Sequence, residues 1–286
     1  MSQSNTYCHI SGETKIIAHI GYPTKTFTAL KILNSCFNEM KANVIVVPFA
    51  CKLGQLDHLL TGLIPIENFF GALITMPYKN SILPFLDHQS RLVTMAGSCN
   101  LVKFDGSRRM IGEMFDGEGF LNAANQKGVV LDGKSILLIG AGGVGSAIAV
   151  SLAFKGVAKL TIFDLDSEKS AQLCLRIRKY FPDIEVEVWN SKESGWNILV
   201  NASPLGMGSF DDLPVDFSHI KSADIVVDLV LSSNDTKFIK LARETGSETI
   251  SGIDILYGQI PEMLKFFGFE KISVGRIKNL TKRWQN

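Results

Sequence analysis

Most of the features that would mark a nucleic-acid, membrane, secreted or metal-binding protein are missing from this chain. Its 286 residues hold 29 Lys and Arg against 28 Asp and Glu, a net charge of +1, with no block of one sign. Nucleic acid and anionic membrane surfaces select basic patches, so neither is an expected partner. The apolar runs are strand-length, well short of the ~18 residues a membrane span needs. The opening MSQSNTYCHISGETK lacks the basic region, apolar stretch and cleavage site of a secretion signal. Five cysteines (Cys8, Cys36, Cys51, Cys99, Cys174) are scattered and odd in number, with no C-x-x-C and no Cys/His metal spacing. They read as free thiols of a reducing compartment. The expectation is a cytoplasmic protein without a metal, a monomer or homodimer. The histidines, His9, His19, His58, His88 and His219, stand in ordinary contexts and read as structural.

What is present suits a small-molecule ligand. Hydrophobic residues make up 46% and charged residues 20%, enough apolar surface for a sizeable core. The first hundred residues alternate KIIAHIG (15–21), a helical pattern over 28–41, NVIVVPF (43–49), a helical pattern over 52–63 and FFGALIT (69–75). Strand–helix–strand order implies right-handed crossovers and a mainly parallel sheet. After a helix over 116–128 the pattern restarts: KSILLIG (134–140), a helix over 144–156, AKLTIFDLD (158–166), and a helix over 167–181 opened by a serine cap. IEVEVW, WNILVNAS and ADIVVDLV supply further strands, and the chain turns helical from about Ile253. The fold class is α/β, with two α/β units and a boundary near residues 117–130.

LLIGAGGVGSAIA carries the strongest local signal. Gly140, Gly142 and Gly145, with Ala141, Gly143 and Val144 between them, form G-x-G-x-x-G directly after a strand and at a helix start. The first glycine permits the tight turn and the second lets the backbone approach a pyrophosphate. The third allows close helix–strand packing, and the helix N-terminus favours the negative charge. Asp164 lies about 20 residues further on, where a carboxylate accepts hydrogen bonds from ribose hydroxyls and repels a 2′-phosphate. Asp166 follows it, better placed to cap the next helix, and no arginine stands there. NAD is expected as the preferred cofactor, with NADP possible.

A dehydrogenase acting on an alcohol needs a proton acceptor. Lys79 lies just past a buried strand, where ligand crevices form in parallel sheets. Asp116, opening a helix, could partner it. By pattern alone, Lys79 could equally be a solvent-facing strand end and Asp116 a helix cap.

An ordered series of motifs extends this. Gly21-Tyr22-Pro23 with Asn34, GALITMPYK ending at Lys79, Gly97-Ser98-Cys99-Asn100, GEMFDG over 112–117, GAGGVG, VNASPLGM over 200–207 and SGIDILYGQ ending at Gln259 run in sequence. The chain resembles the shikimate dehydrogenase family, including its quinate/shikimate branch, over nearly its whole length. The resemblance implies a substrate domain of residues 1–120 and 253–286, and a Rossmann-type NAD(P)-binding domain of 121–252 inserted between them. It implies reversible hydride transfer between a nicotinamide and a ring alcohol of shikimate, quinate or a related compound. It implies that Lys79 moves the proton and Asp116 holds it, and that Thr75, Asn100 and Gln259 contact substrate. Asn201, Ser203, Leu205, Gly206, Met207, Leu229 and Gly252 fall around the nicotinamide and its ribose.

The match departs from the family at one end of the implied pocket. The serine pair that binds the substrate carboxylate aligns with Phe27 and Ala29, with Thr28 between them. A family tyrosine falls on Leu231, the asparagine before V-T on Leu73, and the N-T of N-T-D on Met114 and Phe115. Each charged hydrogen bond lost is worth roughly 1.5–3 kcal/mol, so affinity for shikimate should fall unless other groups compensate. Two further readings stay open: the same chemistry on a different cyclic polyol or amino-polyol, and a non-catalytic NAD-binding metabolite sensor.

Overall fold

A computed structural model of the chain describes residues 10–190, 194–208, 212–232 and 235–282; Cys8 and His9 lie outside them. In chain order the elements begin with β1 (Lys15–Gly21), α1 (Ala29–Glu39), β2 (Val44–Ala50), α2 (Leu56–Leu63) and β3 (Phe69–Ile74). A 3₁₀ turn (Leu83–Phe85), β4 (His88–Gln89), α3 (Arg91–Ala96), β5 (Leu101–Phe104) and β6 (Met110–Glu113) follow. Next come α4 (Asp116–Gln126), β7 (Ser135–Ile139), α5 (Gly143–Phe154), β8 (Lys159–Phe163), α6 (Ser167–Tyr180) and β9 (Glu185–Val188). β10 (Ile198–Asn201), α7 (Phe217–Ser222), β11 (Ile225–Asp228), α8 (Lys237–Glu244), β12 (Glu248–Ser251), α9 (Gly252–Phe266) and α10 (Val274–Thr281) complete the order.

The first compact unit comprises residues 1–90, 99–113 and 260–286. Its sheet runs β2-β1-β3-β5-β6-β4. β1 pairs in parallel with β2 and β3, whereas β5 pairs antiparallel with β3 and β6. The short β5–β6 connection is what allows the antiparallel turn; parallel neighbours need a long crossover. Asp105 holds this turn by accepting from the backbone N–H groups of Ser107 and Arg109. β1 is buried from Ile17 to Gly21, and reads as a continuous apolar run because parallel strands are covered on both faces. Asn34 seats α1 on the sheet: its Nδ2 donates to the Val46 carbonyl at 2.9 Å, and its Oδ1 accepts from the Val46 N–H at 2.8 Å. α10 joins this unit through α1, where Arg276 pairs with Glu39.

The second unit comprises residues 91–98 and 114–259. Its all-parallel sheet runs β12-β11-β10-β7-β8-β9. Renumbered within the unit, this is the 3-2-1-4-5-6 order of dinucleotide-binding sheets, with its switch point between β7 and β10. α5 is apolar almost all round and buried from Gly145 to Ala153, as expected of a helix covered on several sides. α3 and α4 both pack against it.

These units differ from the expected boundaries at 120 and 253. Residues 91–98, 114–120 and 253–259 group with the second unit because α3, α4 and the start of α9 share its core. The chain crosses between units at 259/260, inside α9. Pro261 stands just beyond and cannot supply the helical N–H that would reach Tyr257. A second correction concerns α6. Its cap is Asp166, whose side chain accepts from the Glu168 N–H, and Ser167 is the first helical residue. Among the described residues, Cys36, Cys51, Cys99 and Cys174 are buried free thiols, and no helix is long and apolar enough to cross a membrane.

Candidate active site

In the first unit, candidate site residues gather past the C-terminal ends of β1 and β3. The strand ends are laced by backbone bonds: Thr75 N–H to the Ile20 carbonyl at 2.9 Å, and Tyr22 N–H to the Met76 carbonyl at 3.1 Å. Both strands leave through cis prolyl bonds, Tyr22–Pro23 and Met76–Pro77. Tyr78 is buried and donates its hydroxyl to the Cys51 carbonyl at 2.9 Å. Lys79, half-buried, follows, and its carbonyl accepts from the Cys99 N–H at 2.8 Å. Asn100 is 3% exposed, and its carbonyl accepts from the Ile74 N–H at 2.8 Å. Thr75, Lys79 and Asn100 are therefore held on one framework of strand ends.

The same framework carries the residues aligned with the missing serines. Phe27 is half-buried, Ala29 opens α1, and Thr28 is its cap residue. The Thr28 hydroxyl donates to the Thr26 carbonyl at 3.3 Å. Phe27 stacks on His19, with ring centroids 4.0 Å apart and planes 24° from parallel. His19 is 5% exposed, and its Nδ1 has no hydrogen-bond partner. Burial, with the Lys79 charge adding to it, pushes the imidazole down to about 3, so it is neutral at ordinary pH. Sequence reading passed over His19, because a lone histidine in an apolar strand reads as core.

In the second unit, the glycine loop sits at the switch point. Gly140 has φ +100°, a left-handed conformation that favours glycine, and a Cβ there would lie 2.7 Å from the Ala202 carbonyl. A side chain at Gly145 would run into the Gly140 carbonyl oxygen. Gly142 caps α5, so the loop delivers the helix N-terminus to the crevice. Asp164 ties this loop: Oδ2 accepts from the Ala141 N–H at 2.7 Å and Oδ1 from the Asp166 N–H at 2.9 Å. Leu165, between the two aspartates, is 92% exposed. This glycine cradle, closed to side chains at Gly140 and Gly145 and ended by helix N–H groups, fits a dinucleotide pyrophosphate.

Across the switch point, Asn201 organises the next loop. It is fully buried; its Nδ2 donates to the Leu205 carbonyl and to Asp228 Oδ1, each at 3.0 Å. Its Oδ1 accepts from the Ser203 hydroxyl at 2.6 Å and the Ser203 N–H at 3.1 Å. Gly206 and Met207 complete the turn, with Met207 N–H donating to the Pro204 carbonyl. Asp228 also accepts from the Thr236 hydroxyl at 2.5 Å and the Val230 N–H at 3.1 Å. Burial raises the Asp228 pKa against the pull of these donors. Asp228, Thr236 and Gly252 line a cavity of about 100 Å³ beyond β11 and β12. Leu229 and Leu231 lie half-buried on the exit of β11. Asp228 and Thr236 escaped sequence reading, although a carboxylate ending the run IVVD was a visible signal.

Asp116 is 5% exposed and is the first residue of α4; the cap position belongs to Phe115. A carboxylate in the first turn is favoured by the helix dipole. One turn along, Gly119 leaves room for Gln259 of α9, whose Cγ a side chain there would strike. Asp116 and Gly119, against which Gln259 packs, thus share one face of α4. No cluster of three or more His, Cys, Asp or Glu suited to a metal occurs among the described residues.

A switch-point glycine cradle, the carboxylate ending β8 and a strand-end lysine define a nicotinamide-dinucleotide oxidoreductase of two α/β units. Residues 20–102 match the model of the shikimate dehydrogenase substrate binding domain. A shikimate dehydrogenase (NADP(+)) of Carboxydothermus hydrogenoformans is 32% identical over 255 residues, covering 87% of this chain and 90% of that protein. A solved shikimate dehydrogenase in complex with NADP+ superposes with TM-score 0.85 at 25% identity, over 97% of this chain and 98% of that one. Quinate dehydrogenase from Corynebacterium glutamicum, in complex with NAD, gives 0.82 at 26% identity, over 93% and 98%. The chain belongs to the shikimate dehydrogenase family, NAD(P)-dependent oxidoreductases that act on a CH–OH group.

Proposed function

We propose that the protein catalyses reversible hydride transfer between NAD(P) and a ring hydroxyl or ketone of shikimate, quinate or a related cyclic compound. The observation that carries this reading is Lys79, anchored past the end of β3 beside Thr75 and Asn100. The nicotinamide, when bound, accepts or returns the hydride. Lys79 takes the hydroxyl proton as the ring carbon loses its hydride, and returns it in the reverse direction. Asp116 is assigned the role of acidic group in the reaction, on the resemblance of GEMFDG to the family motif. Thr75, Asn100 and Gln259 hold the ring; Gly140 to Gly145 hold the pyrophosphate, and Leu205 to Met207, Leu229 and Gly252 border the nicotinamide.

NAD is the preferred cofactor in this reading. Asp164 would repel a 2′-phosphate, and Leu165 and Asp166 offer it no cation. The Carboxydothermus relative is named for NADP(+), so the preference is a property proposed for this chain. A related ring in place of shikimate itself is favoured by Phe27 and Ala29, which supply none of the hydroxyls a carboxylate would use.

Absorbance of the reduced nicotinamide tests this directly. With NAD or NADP, shikimate, quinate and a panel of cyclic polyols and amino-polyols should include at least one substrate whose turnover needs Lys79. Failure of the whole panel with coenzyme still bound would overturn the enzymatic reading in favour of a sensor.

A further inference from the structure

We propose that His19, backed by Phe27, is a specificity-determining residue that selects a ring bearing a neutral hydroxyl or carbonyl where a carboxylate would otherwise sit. This rests on the functional reading above and narrows its substrate class.

The argument begins with strand geometry. Alternate residues of a strand share a face, so position 21 reports what His19 looks toward. A Cβ at Gly21 would strike Thr75 Cγ2 and lie 2.8 Å from Phe27 Cζ. His19, Phe27 and Thr75 therefore border the same space at the ends of β1 and β3. In register opposite His19 stands Leu73, 3% exposed, and Ala29 is 7% exposed. Phe27, Leu73 and Ala29 give the imidazole an apolar setting, with the Thr75 side chain on its border.

The donor inventory decides the ligand's charge. A carboxylate leaving water needs several donors or a cation. Phe27, Ala29 and Leu73 provide none, the Thr28 hydroxyl is engaged by Thr26, and Thr75 adds one neutral hydroxyl, too few donors for a carboxylate. Lys79 is assigned to the reacting oxygen. His19 is neutral, held there by burial and by the Lys79 charge, so it brings one nitrogen and no positive charge. Nδ1 is buried and without a partner, a group that a ligand would satisfy. A hydroxyl both donates and accepts, so it answers Nδ1 in either tautomer, and a carbonyl answers the N–H form. The Phe27 ring then offers a flat apolar wall to the carbon skeleton.

Equilibrium binding separates the alternatives. The full chain with NADH, which blocks oxidation of an alcohol, is titrated by calorimetry with shikimate and with its isostere in which hydroxymethyl replaces the carboxylate. The isostere should bind roughly tenfold tighter or more, the value of one well-placed polar contact. His19→Leu should abolish that preference, and His19→Asn, which keeps a donor and an acceptor, should retain part of it. Phe27→Ser at a half-buried position, alone or with Ala29→Ser, should shift preference back toward shikimate. Equal or tighter binding of shikimate by the wild type overturns the proposal. So does failure of both probes to bind at millimolar concentration, or an isostere affinity unmoved by any of these variants. The parent reading fails by a different sign, absence of Lys79-dependent turnover, which these affinities do not measure.

Discussion

The imidazole of His19 and the ring of Phe27 stack 4.0 Å apart, 24° from parallel, at the strand ends that also carry Thr75. The contact joins the end of β1 to the loop that enters α1. It sets a ring, Phe27, at one of the two positions where the resemblance to the family implies serine hydroxyls, and the Lys79 carbonyl is held on the neighbouring strand exit by the Cys99 N–H. In the proposed reading, a family-like proton-transfer lysine is combined with an altered recognition end.

The buried imidazole predicts an acid sensitivity. His19 is lowered from 6.5 to about 3 by burial and by the Lys79 charge. Below pH 6.5 the unfolded chain takes up a proton that the folded chain accepts only near pH 3. Stability must therefore fall as pH drops through that window, by at most ~1.4 kcal/mol per unit from this group. Urea unfolding of wild type and His19→Leu at pH 7, 6 and 5 checks it. The variant should show the shallower slope; equal slopes would contradict the assignment.

Asp228 predicts a coupling between stability and coenzyme binding. It collects donors from Asn201, Val230 and Thr236, and Asn201 in turn holds Leu205. Asp228→Ala leaves buried donors unmet, at about 1–3 kcal/mol, and loosens the loop over 201–207. Denaturant titration should show the loss, and coenzyme KM should rise more than kcat falls. Thr236→Val removes one donor and should cost less, about 1 kcal/mol.

Cofactor choice turns on Asp164 and its neighbour. Wild type should favour NAD over NADP in kcat/KM by roughly tenfold or more, from repulsion at the 2′ position. Leu165→Arg, at a fully solvated side chain, should narrow or invert that ratio without disturbing the bond from Ala141 N–H to Asp164. A wild-type preference for NADP of tenfold would contradict the role given to Asp164.

Much of this was legible because the signals are local. β1, β2, β3, β7, β8, β10 and β11 are largely apolar runs of strand length, and the glycine loop lies between a strand and a helix in the sequence itself. Two short elements near the end of the second unit were not legible. α8 has only the eight residues KFIKLARE, and β12 is ETIS, four residues with a polar start. The sequence offered both a serine cap and Asp166 for α6, because both are good caps, and the fold selected the aspartate. His19 could not be found by periodicity. Its significance lies in a ring contact eight positions along and in an unmet nitrogen, which only three-dimensional packing brings out. The unit boundaries moved for a similar reason: α3 and α4 belong where α5 is buried, a packing choice that strand and helix patterns do not encode.

The central claim is that Lys79 moves the proton that accompanies hydride transfer. Single-turnover reduction of NAD by the best ring alcohol, with wild type and Lys79→Ala and with NAD and ligand affinities measured alongside, tests it most directly. The account predicts a rate lower by about 10²–10⁴-fold in the variant, the range for loss of a general acid–base group, with affinities changed little. Hydride transfer at the wild-type rate in Lys79→Ala would contradict it.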